Sequence, residues 1–120
     1  MRQPRVLVVE DDQSLREVIT EALLEDGYLV DAANNGQAGL DLARHAPPDL
    51  VILDLMMPRM DGEQFCLAVR QIEPLASVPI IVVSAARSVD DAGLRLGATA
   101  SLRKPFDLFE LTRHVNALLR

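Results

Sequence analysis

The sequence predicts a doubly wound α/β domain, a five-stranded parallel sheet flanked by five helices. Two observations predict it. Strand-like apolar runs alternate strictly with amphipathic helical segments, which means repeated βαβ units. The first, third and fourth runs are apolar almost throughout, as in strands covered on both faces by right-handed crossovers. A chain of 120 residues, almost half of them apolar, suits one domain over 1–120 and is too short for two.

The elements follow in order. "RVLVVE" (5–10) is the first strand. Residues 13–27 carry apolar Leu15, Val18, Ile19, Ala22 and Leu23 at the spacing of one helix face, and Gly27 stops the helix. "YLVDAA" (28–33) is a shorter, half-polar strand, suited to a sheet edge. A helix over 36–46 ends at the Pro47-Pro48 pair. "DLVILD" (49–54) is the third strand and 62–72 the helix after it. In "VPIIVVSA" (78–85), Pro79 is tolerated because it lies at the strand's start. A short helix is expected over 88–96 with Gly93 inside it, then a fifth strand over 100–104. The last helix, 107–120, has Asp107 as its cap.

Composition narrows the function. The net charge is −6 and no Lys/Arg cluster offsets it, so nucleic-acid binding by this domain is not expected. The longest apolar runs are too short to span a bilayer, and no signal-peptide pattern opens the chain. A single cysteine, Cys66, expected in the core, fits a reducing, cytoplasmic setting.

Ligands of an open parallel sheet bind outside the carboxyl ends of its strands. Those ends carry Glu10-Asp11-Asp12, Asp54, Ser84-Ala85 and Lys104-Pro105. Four carboxylates, one hydroxyl and one amine are therefore expected at one edge. Two carboxylates about 4 Å apart repel by roughly 4 kcal/mol at an effective dielectric of 20. Converging acids call for a raised pKa or a cation. An open, all-oxygen site suits Mg²⁺, and Lys104 adds a positive charge able to pair with Asp54. In that setting a carboxylate can act as nucleophile toward a phosphoryl group. Asp12 is read as the cap of the first helix and Asp61 as a loop or cap residue. Met56, Met57 and Met60 are read as loop packing, and His45 and His114 as helix-surface residues. Phe106, Phe109 and Leu111 are assigned to core or interface.

The set "VVEDD", "ILDLMMPRMDG", "VVSA" and "LRKPF" resembles the receiver domain of two-component response regulators, across essentially the whole chain. The resemblance implies a flavodoxin-like strand order 2-1-3-4-5. It implies that Asp54 accepts a phosphoryl group from a sensor histidine kinase or phosphotransfer protein. Asp11 and Asp54 would bind Mg²⁺, with Glu10 helping through water and Met56 offering its carbonyl. Ser84 would turn toward the phosphoryl group, and Lys104, before a cis Pro105, would neutralise it. Ala85 would leave the site open, and Pro58 and Gly62 would shape the loop. The edge of the first helix would receive the phosphodonor. The output would be a following domain, an effector protein or a homodimer, and the chain would catalyse only its own phosphoryl transfer and dephosphorylation. Two departures touch the output face. Ser101 stands where the family usually has Tyr or Phe, and the segment 84–97 is a couple of residues short.

Other readings compete. Glu10-Asp11-Asp12 alone suits a solvated helix start. A phosphatase with an aspartyl nucleophile wants a second acid two residues on, where this chain has Met56. A flavin or nucleotide module wants a glycine- or hydroxyl-rich phosphate loop, and "EDDQS" is anionic. A receiver-like interaction module without phosphorylation is the remaining alternative.

Overall fold

The structure, a computed structural model, describes residues 3–57, 60–86 and 89–120. Five strands and five helices alternate: β1 (Arg5–Val9), α1 (Gln13–Glu25), β2 (Leu29–Ala33), α2 (Gly36–His45), β3 (Leu50–Asp54), α3 (Gly62–Arg70), β4 (Ile80–Ser84), α4 (Val89–Leu96), β5 (Ala100–Arg103) and α5 (Leu108–Leu119). The sheet is parallel throughout, in the order β2-β1-β3-β4-β5. The half-polar second strand does lie at an edge. Pro58, and Ser88 at the start of the expected fourth helix, fall outside the described residues.

Side chains alternate across a strand, and this alternation divides the core in two. Leu7, Val9, Val51, Leu53, Ile80 and Val82 pack with Leu40, Phe65, Val69 and Val89 of α2, α3 and α4. Val6, Val8, Leu50, Ile52, Ile81 and Val83 pack with Ile19, Leu23, Leu111 and Val115 of α1 and α5. The two-sided cover explains the uninterrupted apolar runs. Cys66 is buried as expected.

Four of the helix starts carry side-chain caps. Asp12 accepts from the Leu15 N–H, Asn35 from that of Ala38 and Asp107 from that of Phe109. Asp61 and Gln64 form a reciprocal capping box on α3. Gly27 ends the turn after α1 at φ 90°, a conformation that favours glycine.

Some expectations are corrected. Val18 is 45% exposed although its spacing matches the buried face of α1. Its position faces the rim where α1 meets the strand ends, and not the sheet. Of the residues assigned to core or interface, Leu111 is buried and Phe106 packs against the core, whereas Phe109, 73% exposed, keeps only the interface alternative. Met56 is 66% exposed, whereas Met57 and Met60 pack against the core. α3 stops at Arg70, and a 3-10 turn, Glu73–Leu75, follows it. Among the described residues, no helix is long and apolar enough to cross a membrane.

Phe65 is fully buried between α3 and the sheet, so Phe65→Ala should cost about 3–5 kcal/mol through lost transfer energy and a residual cavity. Urea unfolding would read this as a lowered midpoint with an unchanged slope.

Candidate functional site

β1 and β3 run side by side with Val8 beside Ile52 and Val9 beside Leu53. One further step in that register sets Glu10 beside Asp54. Both continue the alternation that points Val6, Val8, Leu50 and Ile52 toward α1 and α5. The parallel sheet itself therefore presses two acids together. Glu10 is 1% and Asp54 3% exposed, whereas Asp11 is exposed. Oxygens of Glu10, Asp11 and Asp54 all lie within 4.8 Å of one another.

Lys104 bridges the two buried acids. Its Nζ is 2.8 Å from Glu10 Oε1 and 3.2 Å from Asp54 Oδ2. Glu10 Oε1 is buried and faces the Lys104 ammonium. The other Glu10 oxygen accepts the Asp12 N–H at 3.1 Å. Asp54 Oδ1 accepts the Met56 N–H at 3.1 Å. Lys104–Pro105 is cis, and the Lys104 N–H bonds the Ser84 carbonyl at 2.8 Å, tying the lysine to the end of β4.

Electrostatics follow from this crowding. Burial pushes the Glu10 carboxyl up to about 7. Lys104 and the Asp12 N–H pull it down, and neighbouring Asp54 pushes it up again. Asp11 moves the other way: burial would raise it, but bonds to Glu10 and Asp54 and the Lys104 charge leave it lowered. Burial opposes the Lys104 charge, yet the two acids hold its ammonium above its ordinary range.

The fit to a divalent cation rests on the donor set. Three carboxylates share one small space with a single ammonium, and one of the acids opens to solvent. All-oxygen donors of this kind suit a hard cation such as Mg²⁺.

Four acids were expected at this edge, and three gather. Asp12 is turned away, with Oδ1 on the Leu15 N–H at 3.2 Å. Ser84 is fully buried at the neighbouring strand end, where its Oγ accepts the Ala86 N–H at 3.1 Å. It lines a cleft of about 190 Å³ with Leu55, Met56 and Val89. Ala85, Lys104, Pro105 and Phe106 line a second, apolar groove of about 510 Å³ with Leu15 and Val18 of α1. Gly62 supports the loop after Asp54, because a Cβ there would lie 2.6 Å from the Leu55 Cα. At the departure from the family pattern, Ser101 Oγ donates to Asp90 Oδ1 of α4 at 2.6 Å. A Cβ on Gly93 would come within 3.2 Å of Ser101 Cβ.

Arg16 was not singled out from sequence, yet its side chain folds back over the β1–α1 loop to the Glu10 carbonyl at 2.9 Å. A cation in the first turn of a helix, against the macrodipole, was the available signal.

The family model for the response regulator receiver domain matches residues 6–116. This chain belongs to the response regulator receiver domain family. The receiver is 44% identical to the response regulator ArlR of Staphylococcus epidermidis over 117 residues, 96% of this chain and 52% of that protein. It thus spans about half the length of the curated relatives it matches. Among solved structures it is similar to the Vibrio cholerae chemotaxis protein CheY4, with a TM-score of 0.90, 32% identity and 98% of this chain covering 100% of that one. It is also similar to response regulator TrrA of Thermotoga maritima in complex with Mg²⁺-BeF, with a TM-score of 0.85, 32% identity and coverage of 98% and 100%.

The raised Glu10 pKa has a stability signature. Between its ordinary value of 4.5 and about 7, the folded receiver holds a proton that the unfolded chain has released. Stability from this group therefore falls as pH rises through that window. Asp11, lowered from 3.8, acts only below it, and Lys104, raised from 10.5, only above it. In chelator-treated protein, Glu10→Gln should gain stability relative to wild type as pH climbs through the window. Parallel urea-stability curves for the two proteins would contradict the assignment.

Proposed function

We propose that this receiver, a single domain over 1–120, is a phospho-accepting switch. Asp54 takes a phosphoryl group from a sensor histidine kinase or phosphotransfer protein, and the state of Asp54 controls a following domain, an effector protein or self-association. The observation that carries this reading is Asp54 itself: a buried carboxylate on a rigid strand end, beside two further acids and 3.2 Å from Lys104.

In the proposed step, an Asp54 carboxylate oxygen attacks phosphorus. The bond from phosphorus to the donor breaks, and its electron pair leaves with the donor. Lys104, released from Asp54, meets a phosphoryl oxygen, and the Ser84 hydroxyl turns from the Ala86 N–H to another. The Met56 N–H keeps the Asp54 carboxylate oriented. Asp11, Asp54, Glu10 and the Met56 carbonyl would hold Mg²⁺, which supplies positive charge against the phosphoryl oxygens when bound. The Mg²⁺-BeF complex of the similar Thermotoga protein supports that choice of ion. The apolar groove along α1 would receive the phosphodonor, beside Lys104. Met56 in place of a second acid argues against turnover of outside substrates, so the chemistry stops at the domain's own phosphorylation and dephosphorylation. The acid cluster with its lysine argues against a module that has lost phosphorylation.

Intact mass after incubation with a small-molecule phosphodonor and Mg²⁺ tests the reading. A gain of one phosphoryl group is expected, absent from Asp54→Asn and from the metal-free sample. Lys104→Ala should slow the gain by roughly 10²-fold, the scale for losing one charge-stabilising donor. A wild-type mass that stays unchanged while Mg²⁺ binds would reject the switch.

A further inference from the structure

We infer that Arg16 is a positioning residue for the acidic site: it clamps the backbone that presents Glu10 and Asp11, and through them sets the affinity for a divalent cation. This rests on the cation reading proposed above. The guanidinium Nη1 donates to the Glu10 carbonyl at 2.9 Å and reaches the Asp11 carbonyl at 3.5 Å. Both carbonyls belong to residues whose carboxylates converge with Asp54. Arg16 is in the first turn of α1, and its N–H bonds the Asp12 carbonyl at 2.9 Å. A cation there opposes the helix dipole, so the helix itself gains nothing from the charge. What the side chain does is fasten the helix to the loop before it.

The loop has few other restraints. The Glu10 N–H bonds the Ala33 carbonyl at 3.0 Å, and the Asp12 N–H bonds a Glu10 carboxylate oxygen at 3.1 Å. Exposed Asp11 lies between them. Without Arg16, the Glu10 and Asp11 carbonyls turn toward water, and the Asp11 carboxylate is held only by its side-chain contacts with Glu10 and Asp54 on a looser backbone. A site built from three carboxylates then has to order one of them on binding, and affinity falls. Groups that hold metal ligands in place typically contribute about 10–100-fold in affinity.

The experiment compares wild type, Arg16→Ala and Arg16→Lys by calorimetric titration with Mg²⁺ alone, alongside urea stability and metal-free amide exchange. We expect Arg16→Ala to weaken Mg²⁺ binding by about tenfold. Arg16→Lys should recover part of this, because an ammonium can still donate to the Glu10 carbonyl. In the absence of metal, the Asp12 amide should exchange faster in Arg16→Ala while amides of β3 stay unchanged. Wild-type affinity in Arg16→Ala would overturn the inference. So would a general loss of stability that tracks the loss of affinity and is not relieved by lysine. If wild type itself fails to bind Mg²⁺, the cation reading falls, and an unchanged Asp12 exchange rate in Arg16→Ala would overturn the clamp as well.

Discussion

Three carboxylates within 4.8 Å of one another repel, and the rest of the site is organised around containing that repulsion. Two ionised carboxylates about 4 Å apart would cost roughly 4 kcal/mol at an effective dielectric of 20, and Glu10, raised to about 7, sheds part of that by holding a proton. One ammonium, from Lys104, is set between the two buried members. The tension is sustained because the acids stand on the ends of adjacent parallel strands whose flanking residues are buried on both faces. The core holds the strand ends together, and the strand ends hold the charges together. In the proposed switch, a phosphoryl group and its cation would enter a site whose acids and lysine are already in place.

Much of this was legible in the sequence. Double cover of a parallel strand demands an unbroken apolar run, so β1, β3 and β4 could be read directly. The polar Asp31 and the short run around it marked β2 as an edge. The acids were legible because a charge that ends such a run has nowhere to go except the sheet's edge. What escaped was set by tertiary direction. Periodicity places Val18 on an apolar face but does not say that the face outruns the sheet there. Asp12, by contrast, was legible as the cap of α1 and is found there, its side chain on the Leu15 N–H. Arg16 reads as one more polar residue of an amphipathic helix, because its target lies behind it in the chain.

Ser101 shows how a departure from a family pattern is absorbed. A ring at that position would need space. Here Gly93 brings α4 close to β5, and the small hydroxyl bonds Asp90. The partner lies eleven residues earlier on another element, so no local pattern announces it. The contact between α4 and β5 is polar and close, where an aromatic residue would make it apolar and wide.

That contact has a consequence for cooperativity. α4 is eight residues long, and its buried residues are Val89 and Gly93, the second of which has no side chain to contribute. Its polar ties, Ser101 to Asp90 and Arg95 to Glu63, are exposed, a setting in which an ion pair adds at most about 1 kcal/mol. With Val89 and the partly buried Leu96 as its apolar anchors, α4 is expected to detach at a free energy below that of global unfolding. Because the Arg95–Glu63 pair is screened by counterions, that detachment becomes easier as ionic strength rises, while screening does not weaken the apolar packing beneath the other helices.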